Sequence, residues 1–340
     1  MLRTFQLIDH PIQNLHELVQ HLVCEVWCKA DENGYENKIH IDFKPIVDAY
    51  DWLENEIKDI YEICKNIDNL QAISDAFVIN NKIEELCEGQ IQPVYLDALP
   101  DVVEKRMKPL FVKFYNELLE RAKVYHTYGT KKDYFNEIYK KNPYSTCPCC
   151  GYHIMKSNRS KGREAFDHYL PKKLYPFASI NFLNLIPLCY ECNSTYKGET
   201  DTIENGRKAF YPFSIDKTEI AISMVLSKGI DFDNLEENDI DISFTSPHQE
   251  KVDTWNELFG MSDRYFEKIE QFSFSFLNRL LGRLRKRRKD NPELKFKDIL
   301  TDTIDDYRND PFLEFHYLKI PLMNSILSDG ILAKSYDEAG

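Results

Sequence analysis

Two cysteine pairs share one spacing, Cys147-x-x-Cys150 and Cys189-x-x-Cys192. Together they supply four thiolates, the set that zinc takes tetrahedrally. Gly151 follows the first pair and permits the positive φ that a metal knuckle uses. Cys149 lies inside that pair, where it cannot easily ligate alongside Cys147. Between the pairs stand Asp167-His168 and Asn184, and Asn193 follows Cys192 directly. These side chains suit phosphodiester hydrolysis. A neutral imidazole at His168 can take the proton of an attacking water. A carboxylate and an amide oxygen, at Asp167 and Asn193, suit a hard divalent ion such as Mg²⁺ or Mn²⁺. Such an ion neutralises charge on the phosphate and on the departing oxygen.

Four thiolates close a zinc site and leave no open position, so the zinc is expected to be structural. The loop between the pairs must then present the chemistry. Adjacent strand residues face opposite ways, so Asp167 and His168 can serve one site only if the backbone bends or a helix supplies the other wall.

The string Asp167-His168, Asn184, Cys192-Asn193 resembles the HNH endonucleases of the ββα-metal fold, and the flanking cysteine pairs match their zinc-bearing branch. The resemblance covers about 50 of the 340 residues. It implies that His168 is the general base, that Asp167 and Asn193 are ligands of the catalytic ion, and that Asn184 braces the loop. It also implies a phosphate contact at Lys197, with Lys172 as a further candidate. The string Asp167 to Lys172, Tyr175-Pro176 and Phe210-Tyr-Pro-Phe213 is similar, more narrowly, to HNH proteins of prokaryotic antiphage systems, with the nuclease subunit of Septu-type systems the nearest group. That subunit partners an ATPase. A long acidic helical N-terminal region is a departure from a minimal HNH subunit.

Helical spacing of apolar residues runs from Leu15 to Val26, Ile46 to Ile63, Ala72 to Leu86 and Leu110 to Val124. Residues 1–125 therefore read as a helical region, and with 13 basic and 23 acidic residues they carry a charge of -10. The polar stretch Tyr125 to Asp133, with Gly129, reads as a hinge that opens a 126–142 connector with a short helix. Residues 143–213 form the expected HNH module, with 9 basic and 6 acidic residues. Residues 214–340 read as mostly helical, with strands expected at Ile220–Leu226 and Ile240–Thr245 and two short helices in the tail.

The whole chain carries -13, which repels nucleic acid on average, so any contact must come from a local basic patch. One such run, Arg279 to Lys289, has seven basic residues and no acid, and Arg285 and Arg287 are its candidate phosphate contacts. Cys24 and Cys28, four apart on a helix, are expected to be core residues, as are Cys64 and Cys87. The first 15 residues lack an apolar leader and no run is long enough to span a bilayer, so a cytoplasmic protein is expected.

The expected architecture is thus α-rich α+β, with helical regions flanking a zinc-stapled ββα-metal module. The expected function is metal-dependent cleavage of DNA, with RNA left open, as an antiphage effector. An ATPase or other protein partner is expected on the acidic N-terminal region. The alternative is a zinc-stabilised nucleic-acid or protein adaptor that cuts nothing.

Overall fold

The computed structural model describes residues 1–216 and 218–339. It is helix-rich, with two small antiparallel sheets. The chain divides into two compact units. One comprises residues 1, 3–149 and 154–218; the other comprises residue 2, residues 150–153 and the chain from 219 onward. No helix among the described residues is long and apolar enough to cross a membrane.

In the first unit the expected helices form where apolar residues recur every three or four positions. Asp51–Cys64 buries Leu53, Ile57, Ile60 and Cys64 on one stripe. Leu70–Asn80 starts where the Asn69 side chain accepts a hydrogen bond from the Ala72 amide. Lys108–Asn116 buries Leu110, Phe111 and Phe114. The segment read as a hinge is two helix ends around one glycine. Ala122–Tyr128 stops at Gly129, whose φ is +81°. Lys131–Lys141 then restarts under a capping box in which Thr130 and Asp133 satisfy each other's amides.

Apart from residue 2 and residues 150–153, residues 1–125 and 143–213 lie together in this unit and share a core. Phe77 and Phe111 pack on Phe177, with ring centroids 5.4 Å and 5.3 Å away. Ser179 Oγ donates to the Phe111 carbonyl at 3.0 Å, and Asn181 Nδ2 donates to Asn81 Oδ1 at 3.1 Å. The physical reason lies in the cysteine-rich segment itself. Its regular elements are short, so it buries its apolar residues against the helices that precede it.

Its sheet pairs β1, Phe166–His168, with β2, Leu185–Pro187, so that Asp167 faces Ile186 and His168 faces Leu185 across the ladder. A wide π-type helix, Glu191–Lys197, follows β2 and ends at Gly198.

In the second unit β3, Ala221–Leu226, pairs with β4, Ile240–Thr245. Ile240, Ile242 and Phe244 alternate inward along β4, the period of a half-buried strand. Gly260 adopts the left-handed conformation between the helices Gln249–Phe259 and Met261–Arg287. The two tail helices expected between Phe296 and Ala333 form as Phe296–Arg308 and His316–Ser328, and among the described residues a further helix, Gly330–Ala339, follows them. The last one has no buried residue and hence gave little apolar pattern to read.

Candidate metal and catalytic centre

Cys147, Cys150, Cys189 and Cys192 are all buried, and their sulfurs lie within 4.8 Å of one another. Sulfurs around a tetrahedral zinc stand about 3.8 Å apart, so the four can hold such a metal after a small contraction. Thr146 and Ile154 bridge across the first pair, and Gly151 turns the chain with φ +82°. The second pair is placed by the helix, because Cys192 sits in its first turn. Cys149 is buried but outside the cluster, as its position between the ligands requires. Cys24 and Cys28 are partly buried and join no metal cluster among the described residues. Burial pushes the Cys28 thiol up to about 12, so it stays protonated. Cys64 and Cys87 are core residues.

Asn184 is fully buried directly before β2. Its Oδ1 accepts from the Leu170 amide at 2.7 Å, and its Nδ2 donates to the carbonyls of Leu170 at 2.9 Å and Ala178 at 3.3 Å. One side chain thus closes the loop that leaves β1, with both of its amide hydrogens and one lone pair of its oxygen already used. Tyr169 extends the ladder by donating its amide to the Asn184 carbonyl at 2.9 Å.

His168 is buried at the end of β1. Its Nε2 lies 2.9 Å from the Ser179 carbonyl, which can only accept. Nε2 therefore carries the proton, and the lone pair of the neutral ring sits on Nδ1. The ring stands edge-on to Tyr115 with centroids 4.4 Å apart. Burial, with help from Lys172, pushes the imidazole pKa down to about 3, so the ring is neutral at physiological pH.

Asp167 points to the helix. Lys197 Nζ donates to Asp167 Oδ1 at 3.0 Å and to the His168 carbonyl at 2.8 Å, and both side chains are buried. Asp167 Oδ2 is buried and has no hydrogen-bond partner. Burial raises the carboxyl pKa, and Lys197 opposes that rise. Asn193 is partly buried on the same helix, four residues before Lys197, so the two share a face. The helix therefore supplies the wall that Asp167 needs.

The structure thus brings Asp167, His168 and Lys197 together by direct hydrogen bonds and a common strand, with Asn193 on the adjoining helix face, and Asn184 joins them through its bonds to Tyr169 and Leu170 just after β1. Lys197 is turned inward onto Asp167, whereas Lys172 is partly exposed, its Nζ 5.0 Å from the Tyr115 ring centroid. Arg285 and Arg287 lie in the other unit, exposed. Arg285 donates to the Ala339 carbonyl at 2.6 Å, and Arg287 pairs with Asp302 at 2.7 Å.

Three participants carried no sequence signal. Ser179 acts through its carbonyl, which every residue has. Tyr115 and Lys131 come from helices outside the cysteine-rich segment. Lys131 is buried, bonds the Tyr115 carbonyl at 2.9 Å, and pairs with Glu120 at 2.9 Å. Its Nζ lies 4.5 Å from the Tyr115 ring centroid, so two ammonium groups flank the ring beside His168.

No family model and no solved structure matches the chain. It is similar to Protein ea31 of Escherichia phage lambda, 35% identical over 71 residues, which are 21% of this chain and 21% of that protein. The chain thus spans about a fifth of the length of that relative.

Proposed function

We propose that the protein is a metal-dependent HNH-type endonuclease that hydrolyses nucleic-acid phosphodiesters, with DNA as the first substrate to test. The observation that carries this reading is His168, a buried neutral imidazole whose Nε2 is tied to the Ser179 carbonyl. Beside it on β1, Asp167 keeps one buried oxygen without a partner. A buried unpaired carboxylate oxygen calls for an ion or a proton, and the mixed carboxylate and amide set of Asp167 and Asn193 fits a hard divalent ion. When bound, Mg²⁺ or Mn²⁺ supplies charge neutralisation at the scissile phosphate.

The chain's own residues do the rest. His168 Nδ1 accepts a proton from the attacking water; the Ser179 carbonyl on Nε2–H and the negative charge of a bound phosphodiester both favour the imidazolium and oppose the burial that holds the pKa down. Asn184 holds the loop after β1 so that the ring keeps its orientation. Lys172 offers a positive charge to the incoming phosphate. The four cysteines hold the segment through a structural zinc. An antiphage role, and an ATPase or other protein partner on the acidic helical region, are part of the same proposal and rest on the motif resemblance.

The Lys197–Asp167 ion pair favours a second reading, in which Asp167 is a purely structural partner and the module is a zinc-stabilised adaptor. Incubation with plasmid, linear DNA and RNA in Mg²⁺ or Mn²⁺ separates the two. Cleavage that is lost in EDTA and in His168→Ala supports the nuclease. No nick or break on any substrate, with or without a partner ATPase, leaves the adaptor.

A further inference from the structure

The segment between the first cysteine pair and β1 carries Lys156, Arg159, Lys161 and Arg163 within eight residues and no acid among them. The next residue, Glu164, is buried, and its Oε1 accepts from the Lys156 amide at 3.0 Å. Lys156, Arg159 and Lys161 are exposed, and so is Lys132 on the helix Lys131–Lys141. None of these four, nor Arg163, makes an ion pair among the described residues. The run Arg279 to Lys289 differs, because its charges are largely spent within its own unit. Arg287 pairs with Asp302 at 2.7 Å, Arg288 with Asp337 at 3.2 Å, and Arg285 donates to the Ala339 carbonyl.

Lys132, Asn136, Ser157, Ser160, Lys161 and Arg163 line one depression of about 200 Å³. The two serine hydroxyls stand 3.4 Å apart. Ammonium, guanidinium and hydroxyl donors around one hollow are the set that takes a phosphate. On one flank, Asn136 and Asn158 are shared with a second depression that holds Asp9, Asp133 and Glu137, and these repel an anion. On the other flank Arg163 leads toward the candidate base. Its guanidinium lies 4.8 Å from the ring centroid of Phe166, the first residue of β1. It also bears electrostatically on Tyr115, whose ring stands beside both His168 and Lys172.

We propose that this basic hollow holds the phosphate backbone of a nucleic-acid duplex, and that the strand runs from it past Arg163 and Lys172 toward His168. Five residue steps separate Arg163 from His168, about 18 Å at full extension, or roughly five base pairs of duplex. The hollow is thus a positioning surface for the substrate and takes the role expected of Arg285 and Arg287. The direction of the strand rests on the nuclease reading; the phosphate contact itself stands without it.

Binding of the full chain to a fluorescein-labelled DNA duplex, with no divalent ion added, is measured between about 50 and 200 mM salt. The triple variant Lys132→Gln, Arg159→Gln, Lys161→Gln is expected to bind roughly tenfold or more weakly and to lower the log–log salt slope by about two to three. In Mn²⁺ the same variant should raise KM for cleavage with kcat within about twofold. Arg285→Gln with Arg287→Gln is expected to change the slope by less than about one. Equal slopes for the wild type and the triple variant overturn the proposal, and so does a slope lost in the Arg285 and Arg287 variant instead. Polyglutamate of matched charge that displaces the duplex as well as unlabelled duplex does overturns it too, and assigns the hollow to an acidic protein. Absence of duplex binding by the wild type at every salt concentration also overturns it; whether Mn²⁺ then cuts plasmid decides the nuclease reading separately. Should the triple variant fail to fold, each single substitution is scored for a slope loss of about one.

Discussion

Lys197 Nζ lies 3.0 Å from Asp167 Oδ1 with both side chains out of water, so the end of the helix Glu191–Lys197 is bolted to the middle of β1 by a buried ion pair. The same ammonium reaches the His168 carbonyl at 2.8 Å. This contact fixes where the two chemical residues of β1 stand relative to the helix that carries Cys192 and Asn193.

Breaking that pair on one side should be costly. Lys197→Met leaves a buried carboxylate unpaired and should lower unfolding free energy by about 3 kcal/mol or more. The double variant Lys197→Met with Asp167→Asn should recover part of the loss. Urea denaturation of the singles and the double checks this, and simple additivity of the two effects would refute the coupling.

His168→Ala should lower cleavage by roughly 10² to 10⁴-fold, the range that a general base contributes. Zinc content and the far-ultraviolet circular dichroism should stay unchanged, because the ring makes one hydrogen bond to the protein, at Ser179. A variant that retains full activity would remove His168 from the mechanism.

Asn184→Ala should destabilise the loop after β1, since it removes all three side-chain hydrogen bonds and strands the Leu170 amide in the interior. A loss of about 2 to 4 kcal/mol is expected, with hydrogen exchange accelerating first at Leu170. Asn184→Asp should not rescue it, because the carboxylate cannot donate to the Leu170 and Ala178 carbonyls.

One zinc per chain is expected by elemental analysis, bound through the four clustered cysteines. Cys189→Ser or prolonged treatment with a strong chelator should release it and unfold the cysteine-rich segment, with a fall in melting temperature. Cys149→Ser should retain the metal. Release of zinc from Cys149→Ser with retention in Cys189→Ser would reverse the ligand assignment.

Acid should destabilise the first unit partly through His16. Its ring stacks on Phe77 with centroids 5.5 Å apart, its Nδ1 is buried without a partner, and burial pushes its pKa down to about 4. The folded pKa lies below the ordinary value near 6.5, so the unfolded chain binds the extra proton. Stability is thus full above about pH 6.5 and falls as pH drops toward 4. His16→Leu should flatten that part of the stability profile in urea titrations at several pH values. An unchanged slope would show that other groups govern it.

Much of the helical layout was legible in the sequence because local periodicity decides it: the stripe of Leu53, Ile57 and Ile60 and the alternation of Ile240, Ile242 and Phe244 are one-dimensional patterns. The paired spacing of Cys147, Cys150, Cys189 and Cys192 was legible for a similar reason, since each pair is a local spacing and a four-coordinate zinc would call for a second pair. The tertiary structure decided the rest. It drew the acidic helices and the cysteine-rich segment into one core, because short elements need outside apolar surface to bury. It turned Lys197 inward onto Asp167, gave His168 its tautomer through the Ser179 carbonyl, and set Tyr115 and Lys131 beside the ring. Those contacts join residues tens of positions apart, and some act through backbone atoms that no side-chain pattern encodes. The sequence by itself determined which chemical groups are present and how each pair is spaced, because spacing is a local property. The charge balance and proton position of the site belong to the folded chain alone, because they are set by distances between segments and by the exclusion of water.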